Sequence, residues 1–349
     1  MPAKNLEPLE YFGSARIEDF LNEYWQKTPL VAKGAFPEIT EIVDDIDLFG
    51  LALEEEGEAR LVRFNSESSE WTCDFGPFST ASFEKLGPSN WTLLVHSVDQ
   101  WDEQIRNFRQ RFEFLPEWRL DDLMISWAKT GGGVGPHYDN YDVFLIQARG
   151  FRFWELGQKC DSRTPLLNHS PLRLLDDFIP NECFKLGPGD ALYLPSGIAH
   201  CGTAISDPCV TVSVGFRAPS RSELIEEAAS HVTEELSGFD QYRDDIGALS
   251  LDGSLLGVES QLRRFAESIS IDDWTNAFIK AFGRMVTETR LIHPADGVSP
   301  AEAQRLIKVC NFFSVHYSSR SVYYPSSQNR ATLLRAFLLH QPCELLLRP

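Results

Sequence analysis

Residues 1–218 alternate short apolar runs of strand character with a few helical stretches. Runs with period two, or with near-continuous apolar residues, predict strands at 29–32, 59–64, 71–75 and 91–98. From residue 123 strands dominate, at 123–128, 142–148, 151–156, 191–194 and 210–216. Helical spacing marks only 17–25 and 101–112 in this part. Short strands punctuated by Gly and Pro predict a mainly β fold with helical additions, either an all-β barrel or a double-sheet jelly roll.

The periodicity changes after Pro219. Ser220 with Glu223 three residues on is a capping box, and an amphipathic helix should run to about residue 236. Further helices are expected at 261–268 and 272–288, the second with Trp274, Phe278 and Phe282 on one stripe. Such a stripe suits either core packing or a subunit interface. The helical block is short and has few partners of its own, which favours association, so a homodimer is expected. Beyond residue 290 a helix at 299–309, a hairpin of 312–317 with 321–324 and a helix at 328–339 suggest a small winged-helix-like module. The expected organisation is therefore 1–218, 219–289 and 290–349.

The 349 residues carry a net charge of -19, which argues against direct nucleic-acid binding and suits a basic partner. Seven cysteines, irregularly spaced and without a C-x-x-C, fit reduced thiols in the cytoplasm. The N-terminus lacks an apolar signal core, and no apolar run approaches the ~20 residues of a membrane span. No membrane association is expected.

The most informative segment is Gly131-Gly132-Gly133-Val134-Gly135-Pro136-His137-Tyr138-Asp139. Extended backbone points residues i and i+2 the same way, so His137 and Asp139 should converge. The preceding glycines allow sharp turns and close backbone approach. A third ligand is offered by His200, which follows a turn, a strand and a second turn, Gly189 to Gly197. Two His and one carboxylate form the facial set that holds Fe(II) and leaves positions open for O2 and a co-substrate. A 2-oxo acid bound there needs a cation for its far carboxylate, ideally Arg. Arg149 and Arg152 are the candidates, and Arg152, set between aromatic residues, is preferred. Cys201 and Cys209 do not complete a zinc set.

Over these residues the chain resembles the bacterial ribosomal oxygenases of the JmjC type, in the cupin superfamily. The similarity runs through Trp118 to Ser126, Gly131 to Gln147 and Ser213 to Pro219. It extends to Phe20-Leu21, Trp25-Gln26-Lys27, Pro29 and Trp91 to Val95. It implies a double-stranded β-helix followed by a helical dimerisation region and a winged-helix domain. It also implies an Fe(II)- and 2-oxoglutarate-dependent hydroxylase acting on an arginine Cβ of large-subunit ribosomal protein sixteen. His137, Asp139 and His200 would bind iron, Arg152 would bind 2-oxoglutarate, and Ser126 could add a hydrogen bond. Tyr141, Asp142 and Ser213 would face the substrate, with Asp142 a partner for a guanidinium. Two departures stand out. Thr211 occupies the place where related enzymes carry an amide near the metal, among the co-substrate contacts, and Lys129 is unexpected beside an iron pocket unless it points outward. Another JmjC-type hydroxylase or demethylase, a non-oxidative cupin metal protein, and a non-catalytic docking module remain alternatives.

Overall fold

The computed structural model describes residues 6–44, 46–168, 170–235 and 256–287. The expected winged-helix-like module lies outside the described residues. The chain divides into two compact units, Met1–Arg217 and Ala218–Pro349.

The first unit opens with a two-stranded ribbon, β1 (Tyr11–Phe12) and β2 (Ala15–Arg16), and helix α1 (Ile17–Glu23). Strand β3 (Leu30–Ala32) and the short helices α2 (Ile39–Ile42) and α3 (Leu48–Leu51) follow. Next come β4 (Ala59–Asn65), β5 (Glu70–Phe75), α4 (Thr80–Glu84), β6 (Trp91–Val95), α5 (Val98–Trp101) and α6 (Glu103–Phe108). The barrel strands are β7 (Leu120–Ala128), β8 (Asp142–Arg149), β9 (Arg152–Lys159), β10 (Glu182–Leu186), β11 (Ala191–Leu194), β12 (Ile198–Ala204) and β13 (Cys209–Phe216). They form an eight-stranded major sheet in the order β3-β11-β8-β13-β7-β6-β4-β5 and a three-stranded minor sheet in the order β10-β9-β12. All the pairings are antiparallel. This is the mainly β jelly roll with helical additions that the sequence led us to expect.

Strands β8 and β11 of the major sheet split their residues between two cores, and β13 gives one face to the first of them. Phe144 and Ile146 of β8, Tyr193 of β11, and Val210, Val212, Val214 and Phe216 of β13 join one cluster with Phe12, Phe20, Phe36, Phe108 and Phe112. That cluster glues the N-terminal helices to the sheet. Each large side chain fully buried there stabilises by roughly 1.5–3 kcal/mol. The alternate residues, Val143, Leu145, Leu192 and Leu194, meet Trp154, Leu156 and Leu186 of the minor sheet inside the barrel. Both faces are covered, so the strands read as near-continuous apolar runs rather than as clean alternation.

Two elements differ from expectation. The apolar run 91–98 ends as a strand at Val95, because Ser97 takes a left-handed conformation (φ 51°) that starts α5. The helical stretch 101–112 breaks at Asp102, whose side chain caps α6 by accepting from the Ile105 N–H at 2.9 Å. Strands β10 and β12 were not anticipated: β12 is built largely from Ala, Gly and His, residues with little intrinsic strand signal.

In the second unit, α7 (Arg221–Glu235), α8 (Leu256–Ser268) and α9 (Ile271–Val286) are helical. The Ser220–Glu223 box is present: the Glu223 N–H donates to Ser220 Oγ at 3.2 Å, and the Ser220 N–H to Glu223 Oε2 at 2.7 Å. Trp274 and Phe278 of the predicted stripe pack on Ala228 and Val232 of α7 and on Ala277 and Ala281 of their own helix. Packing within the chain therefore accounts for those two members.

Candidate metal centre

The glycine run lies antiparallel beside β12. The Gly131 N–H donates to Ala204 O at 2.8 Å, and the Ala204 N–H to Gly132 O at 2.9 Å. Further along, His137 and His200 exchange backbone bonds at 3.0 and 2.8 Å. Glycine is required for this approach, since a Cβ on Gly133 would stand 2.5 Å from the Gly202 carbonyl oxygen. Gly135 turns the chain at φ 79° just before Pro136 and His137. Pairing with β12 sets two histidines side by side, their rings 4.3 Å apart.

Asp139 completes the group. Ligand atoms of His137, Asp139 and His200 all lie within 4.8 Å of one another, and His200 Nε2 is 3.7 Å from Asp139 Oδ2. Each imidazole is oriented by its other nitrogen: Nδ1–H of His137 donates to Gly135 O, and that of His200 to Ile198 O, each at 2.9 Å. Both Nε2 atoms are left as ligands, the outer-sphere arrangement usual at histidine metal sites. Burial, reinforced by the neighbouring His137, holds the His200 imidazole down at about 4, so it is neutral at pH 7 and ready to ligate. Asp139 is anchored by the Gly197 N–H, which donates to its carbonyl at 2.8 Å. Two imidazoles and one carboxylate fit ferrous iron through this donor set.

The Tyr141 hydroxyl also bonds Asp139, and its pKa is pushed well above the usual tyrosine range by burial, then by the Asp139 and Asp122 charges. Tyr141 therefore braces a candidate ligand, rather than only facing outward toward a substrate.

Arg152 opens β9 and is 4% exposed. Nη1 donates to Gly202 O at 3.4 Å, while Nε and Nη2 are buried without partners. A buried guanidinium with two adjacent unused donors fits a carboxylate, which accepts such a fork in bidentate fashion. Arg149 instead reaches the surface and pairs with Asp44. Lys129 points outward to Asp207 at 2.8 Å, over the Trp127 ring.

Period two places Asp122, Met124 and Ser126 of β7 on the barrel face, against Gly215, Ser213 and Thr211 of β13 in register. Ser126 Oγ–H donates to Thr211 O at 3.4 Å, and Thr211 Oγ1–H donates to Gln147 Oε1 at 3.1 Å. The buried amide on this face is thus Gln147, next to Thr211, and its own N–H groups are spent on Arg149 O, Val210 O and Cys209 Sγ. Ser213 is buried at 8% exposure between Met124 and Leu145.

Asp142 is not brought to this group. In register with Phe216 it lies on the helical face of the sheet, 3% exposed. Its carboxylate accepts from Tyr193 at 2.6 Å and from Gln26 at 3.2 Å. One step of strand phase turned it away, so the expectation that Asp142 meets a guanidinium is corrected. The acid on the barrel face is Asp122. A Cβ on Gly215, its register partner, would lie 3.5 Å from the Tyr141 ring and 3.8 Å from Asp122 O. Strand phase counted back from Ser126 would have found Asp122 in the sequence.

A family model described as a JmjC domain matches residues 107–224. The ribosomal protein uL16 3-hydroxylase of Escherichia coli (strain K12) is 37% identical over 296 residues, 84% of this chain and 76% of the relative. The chain belongs to the ribosomal oxygenases. The solved structure of the Escherichia coli ribosomal oxygenase YcfD with cobalt and 2-oxoglutarate is 37% identical, with a TM-score of 0.66 over 80% of this chain and 73% of that one. A second YcfD structure, with cobalt and succinic acid, gives a TM-score of 0.65 at 37% identity over 80% and 73% of the two chains. In this ribosomal oxygenase the candidate metal group and Arg152 all fall inside the segment matched by the JmjC model.

Proposed function

We propose that this chain is an Fe(II)- and 2-oxoglutarate-dependent protein hydroxylase whose substrate is an arginine Cβ of ribosomal protein uL16. The observation that carries the reading is the buried Arg152 fork with two unused donors, in the same barrel as two imidazoles and a carboxylate within 4.8 Å of one another. A non-oxidative cupin metal protein would have no use for that fork. The Escherichia coli relative named as a uL16 3-hydroxylase supports the choice of target.

In this reading His137, Asp139 and His200 bind iron, Arg152 takes the far carboxylate of 2-oxoglutarate, and Ser126 and Thr211 line its bed. Held by these residues, iron would supply O2 activation coupled to oxidative decarboxylation of 2-oxoglutarate, one oxygen atom going to succinate, formed with CO2, and the other to the substrate carbon. The chain's own residues supply placement. Carbonyls of Gly135 and Ile198 aim the imidazoles, Tyr141 braces Asp139, and the apolar residues of the minor sheet keep water from the bed. Asp122 with Tyr141 and Ser213 forms the mouth where a cationic side chain would enter. A guanidinium there finds a carboxylate reachable from solvent, its side chain 23% exposed.

A basic ribosomal protein as substrate agrees with the net charge of -19. The same reading puts the enzyme in the cytoplasm. No described helix is long and apolar enough to cross a membrane. Exposed Ile225, Leu262, Phe265 and Ile271 in the helical unit support self-association through that unit as a homodimer.

The test is intact-mass analysis of uL16 incubated with the protein, Fe(II), 2-oxoglutarate and O2. A gain of one oxygen, accompanied by succinate, is expected. No succinate and no mass gain on uL16 would refute the reading.

A further inference from the structure

Asp122 is held in an unusual way. One oxygen, Oδ1, accepts the Ser97 N–H at 2.6 Å; the other, Oδ2, meets His96 Nδ1 at 2.7 Å. The far nitrogen of His96, Nε2, is against Arg60 Nη2. A guanidinium has only donors, so Nε2 must be the acceptor and Nδ1 must carry the proton given to Asp122. The imidazole is thereby fixed in one tautomer between a cation and an anion.

The three residues come from separate places. Arg60 lies on β4, His96 just past the end of β6, and Asp122 on β7. Ser97, whose N–H completes the clamp, sits at φ 51° and ψ 36°, a conformation non-glycine residues avoid unless their surroundings impose it. Strand phase puts the carboxylate on the barrel face, where its charge acts on the Tyr141 hydroxyl. Clamped from behind on both oxygens, it still has lone pairs free on its open side.

We propose that His96 is a positioning residue for the substrate: clamped by Arg60, it holds the Asp122 carboxylate aimed at the incoming cationic side chain. This deepens the proposed function and rests on it. Arg60 acts one step further back. Its guanidinium donates to Nε2, which leaves Nδ1 as the donor to Asp122. Without the imidazole, Asp122 would keep the Ser97 bond and lose the one that fixes its plane.

The test measures steady-state succinate formation while recombinant uL16 and 2-oxoglutarate are varied separately, for the wild type, His96→Phe and His96→Asn. Losing a hydrogen bond to a charged group should raise the KM for uL16 in His96→Phe about tenfold or more. The KM for 2-oxoglutarate should stay within about twofold, because Arg152 is untouched. The Asn amide reaches from the position of Nδ1, so His96→Asn should return the KM for uL16 to within about threefold of wild type. A purely structural role would instead lower the melting temperature and move both KM values together, with no rescue by Asn; that result, or an unchanged KM for uL16, overturns the proposal. If His96→Phe does not fold, Arg60→Met is read in its place: a rise of about threefold in the KM for uL16 supports the clamp, and no rise refutes it. A wild type inactive on uL16 refutes the underlying function before any variant is read. A working wild type with an indifferent His96→Phe refutes this inference alone.

Discussion

The two faces of the major sheet use the same strands for opposite purposes. On the helical face, Phe144, Tyr193 and Phe216 are buried in an aromatic cluster, and Asp142 there has both oxygens taken by Tyr193 and Gln26. Asp122, Ser126, Thr211 and Ser213 lie on the barrel face, and Arg152 of the minor sheet keeps two buried donors without protein partners. One face is complete in itself and the other awaits a ligand. A one-residue step along a strand therefore separates stability from chemistry, and a carboxylate's role follows from its phase more than from its place in a motif.

Substitutions on the two faces should separate in the same way. The largest effect is expected from Asp139→Ala, which should abolish succinate formation, a loss of at least about a thousandfold, while the melting temperature of the metal-free protein stays near wild type. Residual turnover above a hundredth of wild type would mean that the group is not the metal centre. On the opposite face, Phe144→Ala should cost about 3–5 kcal/mol in denaturant unfolding. Folded protein that survives should keep its KM for 2-oxoglutarate. A normal stability for this variant would break the contrast between the faces.

Arg152→Met should sharpen the contrast further. Losing the carboxylate fork is expected to raise the KM for 2-oxoglutarate by about 30- to 300-fold, equivalent to about 2–3.5 kcal/mol. Stability should hold or increase, since a buried cation with unused donors is removed. Isothermal titration with the oxo acid and a metal checks the first part, and thermal melting checks the second.

The smallest effect is on pH. His200 binds its proton at about 4 in the folded chain against 6.5 in the unfolded one. The unfolded state therefore takes up more protons below 6.5, and stability falls as pH drops from there toward 4. This residue should remove about 2 kcal/mol from the metal-free protein between pH 7 and pH 5. Urea titrations at the two pH values, repeated with His200→Asn, should show the slope flattening in the variant. An equal slope in both would remove His200 as its source.

Much of the site was legible because its signals are local. The glycine run with His137 and Asp139 is contiguous, and the Gly189 to His200 segment shows its turns in plain residue types. The strand that carries His200 was harder to see, since Ala199, Gly202 and Ala204 carry no β signal and β12 exists only through its pairing with β9 and the glycine run. Asp142 was misjudged because β8 is buried on both faces, so its apolar pattern does not reveal which residues look inward. Arg60 and His96 lie far from any motif, and nothing local connects them to Asp122.

The sequence by itself determined the kinds of group available: two histidines, a carboxylate, an arginine flanked by aromatic residues, and enough strands to close a barrel. Glycine spacing and period two are properties of the backbone and can be read without a fold. Only the tertiary structure decided which carboxylate faces the pocket, which nitrogen of each histidine is left free, and which arginine is buried with donors unused. Those outcomes depend on register between strands distant in the chain, and register is settled by packing on both faces at once.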